Sequence, residues 1–199
     1  MGYTHYWRRS PVLSPAEFAK AAEDIRHIAA TLTDRGIKLA GPTGHGKPEI
    51  SDSSIAFNGS LNCHHAFIDL GSPWPSSSAT GWDKPNPVVG AWFSGALLDT
   101  RICGGNCAAG LFLVDREFMV RPWDQLEQNR YFSYCNTEYK PYDIMVTASL
   151  VRLKEHLPND VKLTSDGGEK GFEDAKRLCR ELFGFAKNFE IEPEESGEV

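Results

Sequence analysis

Residues 3–36 read YTHYWRRSPVLSPAEFAKAAEDIRHIAATLTDRG and place a strand directly before a long helix. The first seven residues alternate aromatic and polar side chains, a pattern typical of a strand. Ser14, Pro15 and Glu17 then form a helix start with a capping box. Apolar residues recur at helical spacing until Gly36, which is typical of a left-handed helix end. This stretch therefore predicts a strand followed by a helix with one buried face.

Strands and helices continue along the chain in an order that indicates an α+β fold. Further strands are predicted at residues 37–40, 54–58, 65–70, 88–98, 109–120, 131–135 and 161–164, and further helices at 141–157 and 172–183. Residues 125–130 are predicted to form a helical turn. Helices separated by a run of strands favour a single domain over residues 1–185, with three main helices packed on a largely antiparallel mixed sheet. Residues 71–125 are a loop-rich insertion, and residues 186–199 an acidic, flexible tail.

Residues 41–48 read GPTGHGKP and match a phosphate-binding P-loop at every position except the last. Pro48 stands where a P-loop has the Ser or Thr that ligates Mg²⁺, and a proline has neither a hydroxyl nor a backbone N–H. The residues that follow look extended, whereas a P-loop is followed by a helix. We therefore interpret this segment as a glycine-rich turn between two strands.

Composition and charge narrow the classes of partner. Of the 199 residues, 41% are hydrophobic and 24% are charged, which is typical of a globular protein. The formal net charge of −6, without a cluster of Lys and Arg, argues against binding to nucleic acid or to an anionic membrane surface. The sequence shows neither a signal peptide nor an apolar stretch of membrane-spanning length, so a cytoplasmic location is expected.

Short motifs at four places along the chain carry a resemblance to a known family. They are MGYTHYW at 1–7, FNG at 57–59, KPYD at 140–143 and SDG at 165–167. Together they resemble a family of small uncharacterised proteins of bacteria, bacteriophages and fungi. The resemblance covers residues 1–70 and 130–185, with residues 71–125 as an insertion relative to shorter members. It implies one compact domain and no particular chemistry.

Five cysteines and a histidine pair suggest a metal site. Cys63 and His64 are adjacent, and Cys103 and Cys107 flank a glycine turn. Zinc takes four sulfur or nitrogen ligands, usually from two short pairs, so these residues are candidate ligands and zinc is the candidate cofactor. Neighbouring strand residues point to opposite faces, so one of His64 and His65 would share the site. The alternatives are unlinked side chains, or a Cys103–Cys107 disulfide.

A thiol nucleophile is a second candidate. Cys135 lies in an aromatic stretch shortly before a helix N-terminus, where a thiolate is stabilised. A hydrolase or transferase would pair it with a base such as His65 or His5, and with an orienting group such as Asp143 or Asn58. The alternative is a cysteine packed beneath aromatic rings. Cys179, in the last helix, is expected to be a buried small apolar residue.

Two aspartates are the third candidate site, for binding a divalent ion. Asp143 opens a helix and Asp166 lies in a Ser-Asp-Gly turn, and both placements have ordinary structural explanations. If these two ends of the sheet meet, the two carboxylates with a histidine are a candidate site for a divalent ion.

A recognition surface is the fourth candidate. Trp74, Trp82 and Trp92 lie in a Pro-, Ser- and Gly-rich region with few charges, and aromatic side chains on such a segment suit recognition. With Asn58 they are the predicted ligand-binding residues, for a small molecule, a glycan or a protein. The sequence slightly favours a non-catalytic binding domain that uses the insertion and an adjacent polar pocket. The alternative is a small metal- or thiol-dependent enzyme using His65, Cys135 and Asp143.

Overall fold

The computed structural model describes residues 3–63, 92–93, 96–97, 103, 105–184 and 189–192. The strands are β1 (Thr4–Arg9), β2 (Leu39–Ala40), β3 (Glu49–Ile50), β4 (Ser54–Gly59), β5 (Trp92–Phe93), β6 (Ala96–Leu97), β7 (Phe112–Asp115), β8 (Leu126–Glu127), β9 (Arg130–Asn136) and β10 (Val161–Ser165). The helices are α1 (Pro15–Asp34), α2 (Asp143–His156) and α3 (Glu173–Phe183), with a 3-10 turn at Gly168–Phe172 before α3. The predicted α+β fold with three helices is confirmed. The strand predicted at 65–70 lies outside the described residues.

The strands are divided between two main sheets. The first has the order β10-β1-β9-β8, and in the second β4 pairs with β2, β3 and β7. A separate hairpin joins β5 and β6. Every described pairing is antiparallel, as alternating apolar and polar residues along the strands predict. The N-terminal strand β1 is therefore central, with β9 and β10 on its two sides.

Helix α1 follows its sequence pattern closely. Its apolar residues are buried along one face, and Gly36 has a φ of +95°, as a left-handed helix end requires. The predicted capping box does not form, because Ser14 makes no side-chain capping bond and Glu17 accepts a bond from Lys20 instead. No helix among the described residues is both long and apolar enough to cross a membrane.

Helix α2 lies at the centre of the helical layer. It contacts both α1 and α3, and eleven of its residues are buried. Arg152 on this helix donates two hydrogen bonds to the Asp24 carboxylate of α1, which also contacts His156 at 2.7 Å. The buried polar residues of α2 thus fasten it to its neighbours, because buried charges require partners.

Residues 125–130 form a hairpin, so the predicted helical turn there is wrong. Strands β8 and β9 pair directly, and the two residues between them, Gln128 and Asn129, have φ angles of +47° and +60°. Positive φ at both central residues is the geometry of a type I′ turn, whose twist matches that of the flanking strands. Asn tolerates this conformation well.

The glycine-rich segment at 41–48 is a turn between β2 and β3, as predicted. The Gly41 N–H donates to the His45 carbonyl, and the Gly44 N–H donates to the Gly41 carbonyl. Gly44 and Gly46 have φ angles of +79° and +70°. Because these bonds close the turn on itself and a strand follows, the segment lacks the structure of a P-loop.

The described part of the predicted acidic tail packs on the domain. Phe189 is buried against Phe172, with ring centroids 4.9 Å apart. The Glu192 N–H donates to the Leu163 carbonyl of β10. Residues 189–192 therefore extend the core beyond residue 185.

Candidate metal centre

Three cysteines from two segments of the chain converge on one point. The Sγ atoms of Cys63, Cys103 and Cys107 all lie within 4.8 Å of one another, and the Cys63 and Cys103 sulfurs are 3.1 Å apart. All three side chains are buried. The structure thus brings together three of the four predicted metal ligands; His64 lies outside the described residues. All five cysteines are free thiols, so the Cys103–Cys107 disulfide is not formed.

A glycine at the end of β4 allows the two cysteine segments to meet. The Cys107 N–H donates to the Ser60 carbonyl at 2.9 Å, which fixes residue 107 beside the end of the strand. A Cβ at Gly59 would lie 1.9 Å from the Cys107 carbonyl oxygen. Only glycine permits this approach, because no Cβ occupies the space between the two backbones.

Asn58, the residue before Gly59, holds residues 107–109 in place by hydrogen bonds. Its Oδ1 accepts hydrogen bonds from the N–H groups of Gly59 and Ala109, and its Nδ2 donates to the Ala109 carbonyl. The side chain is buried. The amide predicted to bind ligand is thus engaged within the fold, where it holds residues 107–109 against β4.

Gly105 and Asn106, just before Cys107, have the features of a turn. Gly105 has a φ of +84°, a conformation that glycine adopts without strain. The Asn106 Oδ1 accepts a hydrogen bond from the Ala108 N–H at 2.8 Å and closes the end of the turn. The prediction that Cys103 and Cys107 contribute to the same metal site is therefore supported by the glycine and asparagine turn residues between them.

The Cys107 thiol is held in an environment that disfavours its charged form. The contact with Cys103 raises the pKa of the Cys107 thiol well above its usual range, and burial and the neighbouring Cys63 raise it further. A divalent cation reverses this balance, because a coordinating thiol loses its proton to the metal. The three cysteines form a buried cluster separate from the main hydrophobic core.

The spacing of the sulfurs is close to that of a tetrahedral metal site. A Zn–S bond of ~2.3 Å implies sulfur–sulfur edges of ~3.8 Å, so the Cys63 and Cys103 sulfurs, which are 3.1 Å apart, would separate by ~0.7 Å to hold zinc. Three thiolates also suit other soft metals. Among the described residues, no other group of Cys, His, Asp and Glu is close enough to hold an ion. A buried Cys63–Cys103–Cys107 group could therefore hold a metal.

Cys135, the predicted nucleophile, has the environment of an inert thiol. It is buried, and burial raises its pKa to about 12. Its Sγ donates to the Gly110 carbonyl at 3.4 Å and lies 3.9 Å from the Tyr142 hydroxyl. His65 is outside the described residues, so its pairing with Cys135 stays a prediction.

Asp143 belongs to a different cluster with His5, the two having been offered by the sequence as a candidate orienting group and a candidate base; its third member, Ser165, was not predicted. His5 Nε2 lies 2.8 Å from Asp143 Oδ1, and His5 Nδ1 lies 2.9 Å from Ser165 Oγ. Thr137 donates a second hydrogen bond to Asp143 Oδ1. The arrangement has the residue types of a hydrolase triad, but His5, Asp143 and Ser165 are all buried. Because substrate must reach a nucleophile, a catalytic role does not suit these buried side chains. Their hydrogen bonds are better explained as a buried network that joins β1, α2 and β10.

Asp166 and three tryptophans are the remaining residues that were predicted to form a functional site. The Asp166 carboxylate accepts hydrogen bonds from the Thr4 N–H and the Tyr6 hydroxyl, so it fastens its turn to β1. Trp74 and Trp82 lie outside the described residues. Trp92 begins β5, and its backbone alone is described.

Comparison of the chain with protein-family models, with curated proteins and with solved structures found no match in any of the three. The resemblance drawn from the sequence motifs therefore stays a prediction.

Proposed function

We propose that this protein is a non-catalytic binding domain in which a structural zinc ion fastens the two ends of its tryptophan-bearing segment. Cys63 lies at one end of that segment, and Cys103 and Cys107 lie at the other. The convergence of their three sulfurs is the observation that carries the proposal. His64 is the fourth ligand, which completes the Cys₃His set common in structural zinc sites.

Burial of the site favours a structural ion over a catalytic one. Catalytic zinc keeps an open position for water or substrate, whereas structural zinc is closed by four protein ligands. The three thiols are all 1% exposed or less, which leaves no open approach through the described residues. The proposed ion therefore stabilises the fold and takes no part in chemistry.

The ion would act by closing a long segment of chain. Cys63 and Cys103 are 40 positions apart. Closing a loop of that length costs the unfolded chain ~3 kcal/mol in conformational entropy. A metal bound by both ends offsets this cost, in the same way that a disulfide does. The segment between them carries Trp74, Trp82 and Trp92, and its proposed ligand is a protein, a glycan or a small molecule.

Metal content tests the zinc site directly. The protein is purified under reducing conditions without added metal or chelator, and zinc is measured by plasma mass spectrometry beside a free-thiol count. We expect one zinc per chain, lost in Cys63→Ser and in Cys107→Ser. Cys179→Ser is the matched control, because Cys179 is equally buried but packs against α2. A native protein with five free thiols and no metal would exclude the site.

Recognition by the tryptophan-bearing segment is tested with defined probes. A glycan array and a library of displayed peptides are screened against the native protein and against the Trp74→Ala/Trp82→Ala variant. We expect ligands that bind the native protein and lose at least about tenfold in affinity for the variant. Val12→Ala is the control, since Val12 is exposed and lies outside the segment. A screen that yields no ligand weakened by the double substitution would contradict this assignment.

The alternative is a small hydrolase or transferase that uses His65, Cys135 and Asp143. Burial of Cys135 and its raised pKa weigh against it, because a nucleophilic cysteine requires a thiolate and access to substrate. Rapid alkylation of Cys135 in the folded protein would support this alternative.

A further inference from the structure

The two main sheets separate between β7 and β9 and leave a groove of about 960 Å³. One end is closed by the Gly110 N–H, which donates to the Asn136 carbonyl at 2.7 Å. The other end is closed by the Arg9 guanidinium, which donates to the Asp115 carbonyl. Among the described strands, β7 pairs with β4 alone, and β9 with β1 and β8. We call this groove the sheet seam.

Both walls of the sheet seam present unpaired strand backbone. Alternate residues of an antiparallel strand direct their N–H and C=O groups to the same side. Asn136 bonds across the seam, so Tyr134, two residues earlier, faces it too. The Arg116 N–H donates to Ser53 on the β4 side, so Leu113 faces the seam from β7. Neither Tyr134 nor Leu113 has a backbone hydrogen bond across the seam within the described part of the chain.

The floor of the sheet seam carries a buried donor that lacks an acceptor. Trp7 is 2% exposed and lines the groove, and its indole Nε1 has no hydrogen-bond partner among the described residues. Arg130 also lines the groove, and its buried Nε likewise has no hydrogen-bond partner among the described residues. Leaving a buried N–H unbonded is costly, so both groups favour a ligand with acceptor oxygens.

The rim adds apolar contacts and positive charge. Trp123 is 71% exposed and Tyr134 is 61% exposed, values that are high for side chains of this size. The Arg121 guanidinium lies 6.0 Å from the Trp123 ring. Four arginines and three acidic residues line the groove, a net positive lining on a chain whose net charge is −6. Acidic side chains on the ligand complement this lining.

We propose that the sheet seam binds an extended, acidic peptide of a partner protein, added as a strand between β7 and β9. The five residue steps from Gly110 to Asp115 span ~17 Å, which accommodates about five extended residues. The peptide backbone would bond the free edges at Tyr134 and Leu113, and one of its carbonyl or carboxylate oxygens would accept from Trp7 Nε1. This site is independent of the cysteine cluster and of the tryptophans in the segment after Cys63.

Selection with a random dodecapeptide library displayed on phage tests the proposal on the full-length protein. We expect enriched peptides with acidic and apolar residues, whose synthetic versions bind in fluorescence anisotropy. Trp123→Ala and Arg121→Ala should each weaken that binding about tenfold. Val12→Ala is the control, because Val12 is exposed but does not line the groove, and it should leave affinity unchanged.

Modified peptides test strand addition without altering the protein. N-methylation of one amide in the bound core removes a backbone hydrogen bond and should weaken binding about tenfold, whereas N-methylation of a flanking residue should have no effect. Trp7→Phe keeps an aromatic ring in the core and removes the indole N–H. It should weaken the same peptides severalfold with an unchanged circular dichroism spectrum.

Three results would overturn the proposal. The first is the absence of any selected peptide that binds more tightly than about 1 mM. The second is binding that is insensitive to Trp123→Ala or to N-methylation. The third is self-association of the protein that Trp123→Ala abolishes, since a second copy would then occupy the sheet seam. None of these results depends on whether zinc is bound.

Discussion

Asp143 is fully buried, and its Oδ1 meets both His5 and Thr137. Removing this carboxylate leaves both partners buried without their hydrogen bond, which is far more costly than removing an exposed group. We expect Asp143→Ala to lower the free energy of unfolding by ~3 kcal/mol in urea denaturation. Asp34→Ala, at an exposed position, should change it by less than ~0.5 kcal/mol. A loss below ~1 kcal/mol for Asp143→Ala would show that the cluster is not closed as described.

The Cys135 thiol should react slowly while the protein is folded. With a pKa of about 12, its thiolate fraction at pH 8 is ~10⁻⁴, against roughly a fifth for an unperturbed cysteine, so alkylation by iodoacetamide should be about 2000-fold slower. Mass spectrometry of timed samples, with the urea-unfolded protein as reference, measures this. A pKa raised in the folded state also means that this thiol's contribution to stability is lost as pH rises from ~9 to 12.

A single glycine decides whether the two cysteine segments can meet. Gly59→Ala would place a Cβ 1.9 Å from the Cys107 carbonyl oxygen, so either β4 or residues 107–109 must move. We expect a loss of ~3 kcal/mol in unfolding free energy together with loss of bound zinc. Gly46→Ala is the control; its Cβ meets nothing within 4 Å, and it should cost ~1 kcal/mol of backbone strain and retain zinc. Zinc retained at full occupancy in Gly59→Ala would contradict this account.

Arg9 fastens the central strand β1 to the second sheet. Its guanidinium is buried and donates to the carbonyls of Pro11, Asp115 and Arg116, and burial lowers its pKa to about 10. Lysine lacks the planar fork that these acceptors require. We expect Arg9→Lys to lower the unfolding free energy by ~2 kcal/mol, and the exposed Arg8→Lys to leave it within ~0.5 kcal/mol. Equal effects at the two positions would contradict the role assigned to Arg9.

Elements with a strong local pattern were predictable from the sequence, and contacts between elements were not. Helix α1 and the turn at 41–48 follow from apolar spacing and glycine placement. The hairpin at Gln128–Asn129 was missed, because a Gln-Asn pair lacks the glycine that usually marks a type I′ turn. In the candidate metal site, the ligand types were predicted, but their convergence depends on Gly59 and on the pairing that places residue 107 beside β4. Ser165 meets His5 through strand register, which single-sequence patterns do not encode.

At the scale of the whole molecule, the buried residues of the described ranges form two clusters with different sources of stability. The main core joins the three helices to both sheets, and the cysteine cluster at the end of β4 is separate from it. Hydrophobic burial stabilises the first irrespective of metal. The second consists of three thiols, too few apolar atoms to hold a long segment by themselves. Loss of metal should therefore act locally.

Removal of the proposed zinc ion by a chelator should loosen the end of β4 and leave the helices folded. We expect amide hydrogen exchange to accelerate about tenfold or more at residues 58–61 and 107–109, with unchanged protection in α1 and α2. Added zinc should restore the slow exchange and raise the melting temperature with concentration, because a ligand of the native state stabilises it by mass action. Cys107→Ser should show the fast exchange with or without zinc. Cooperative loss of helix protection on chelation would mean that the two clusters fold as one unit, and unchanged exchange everywhere would mean that the thiols hold no metal.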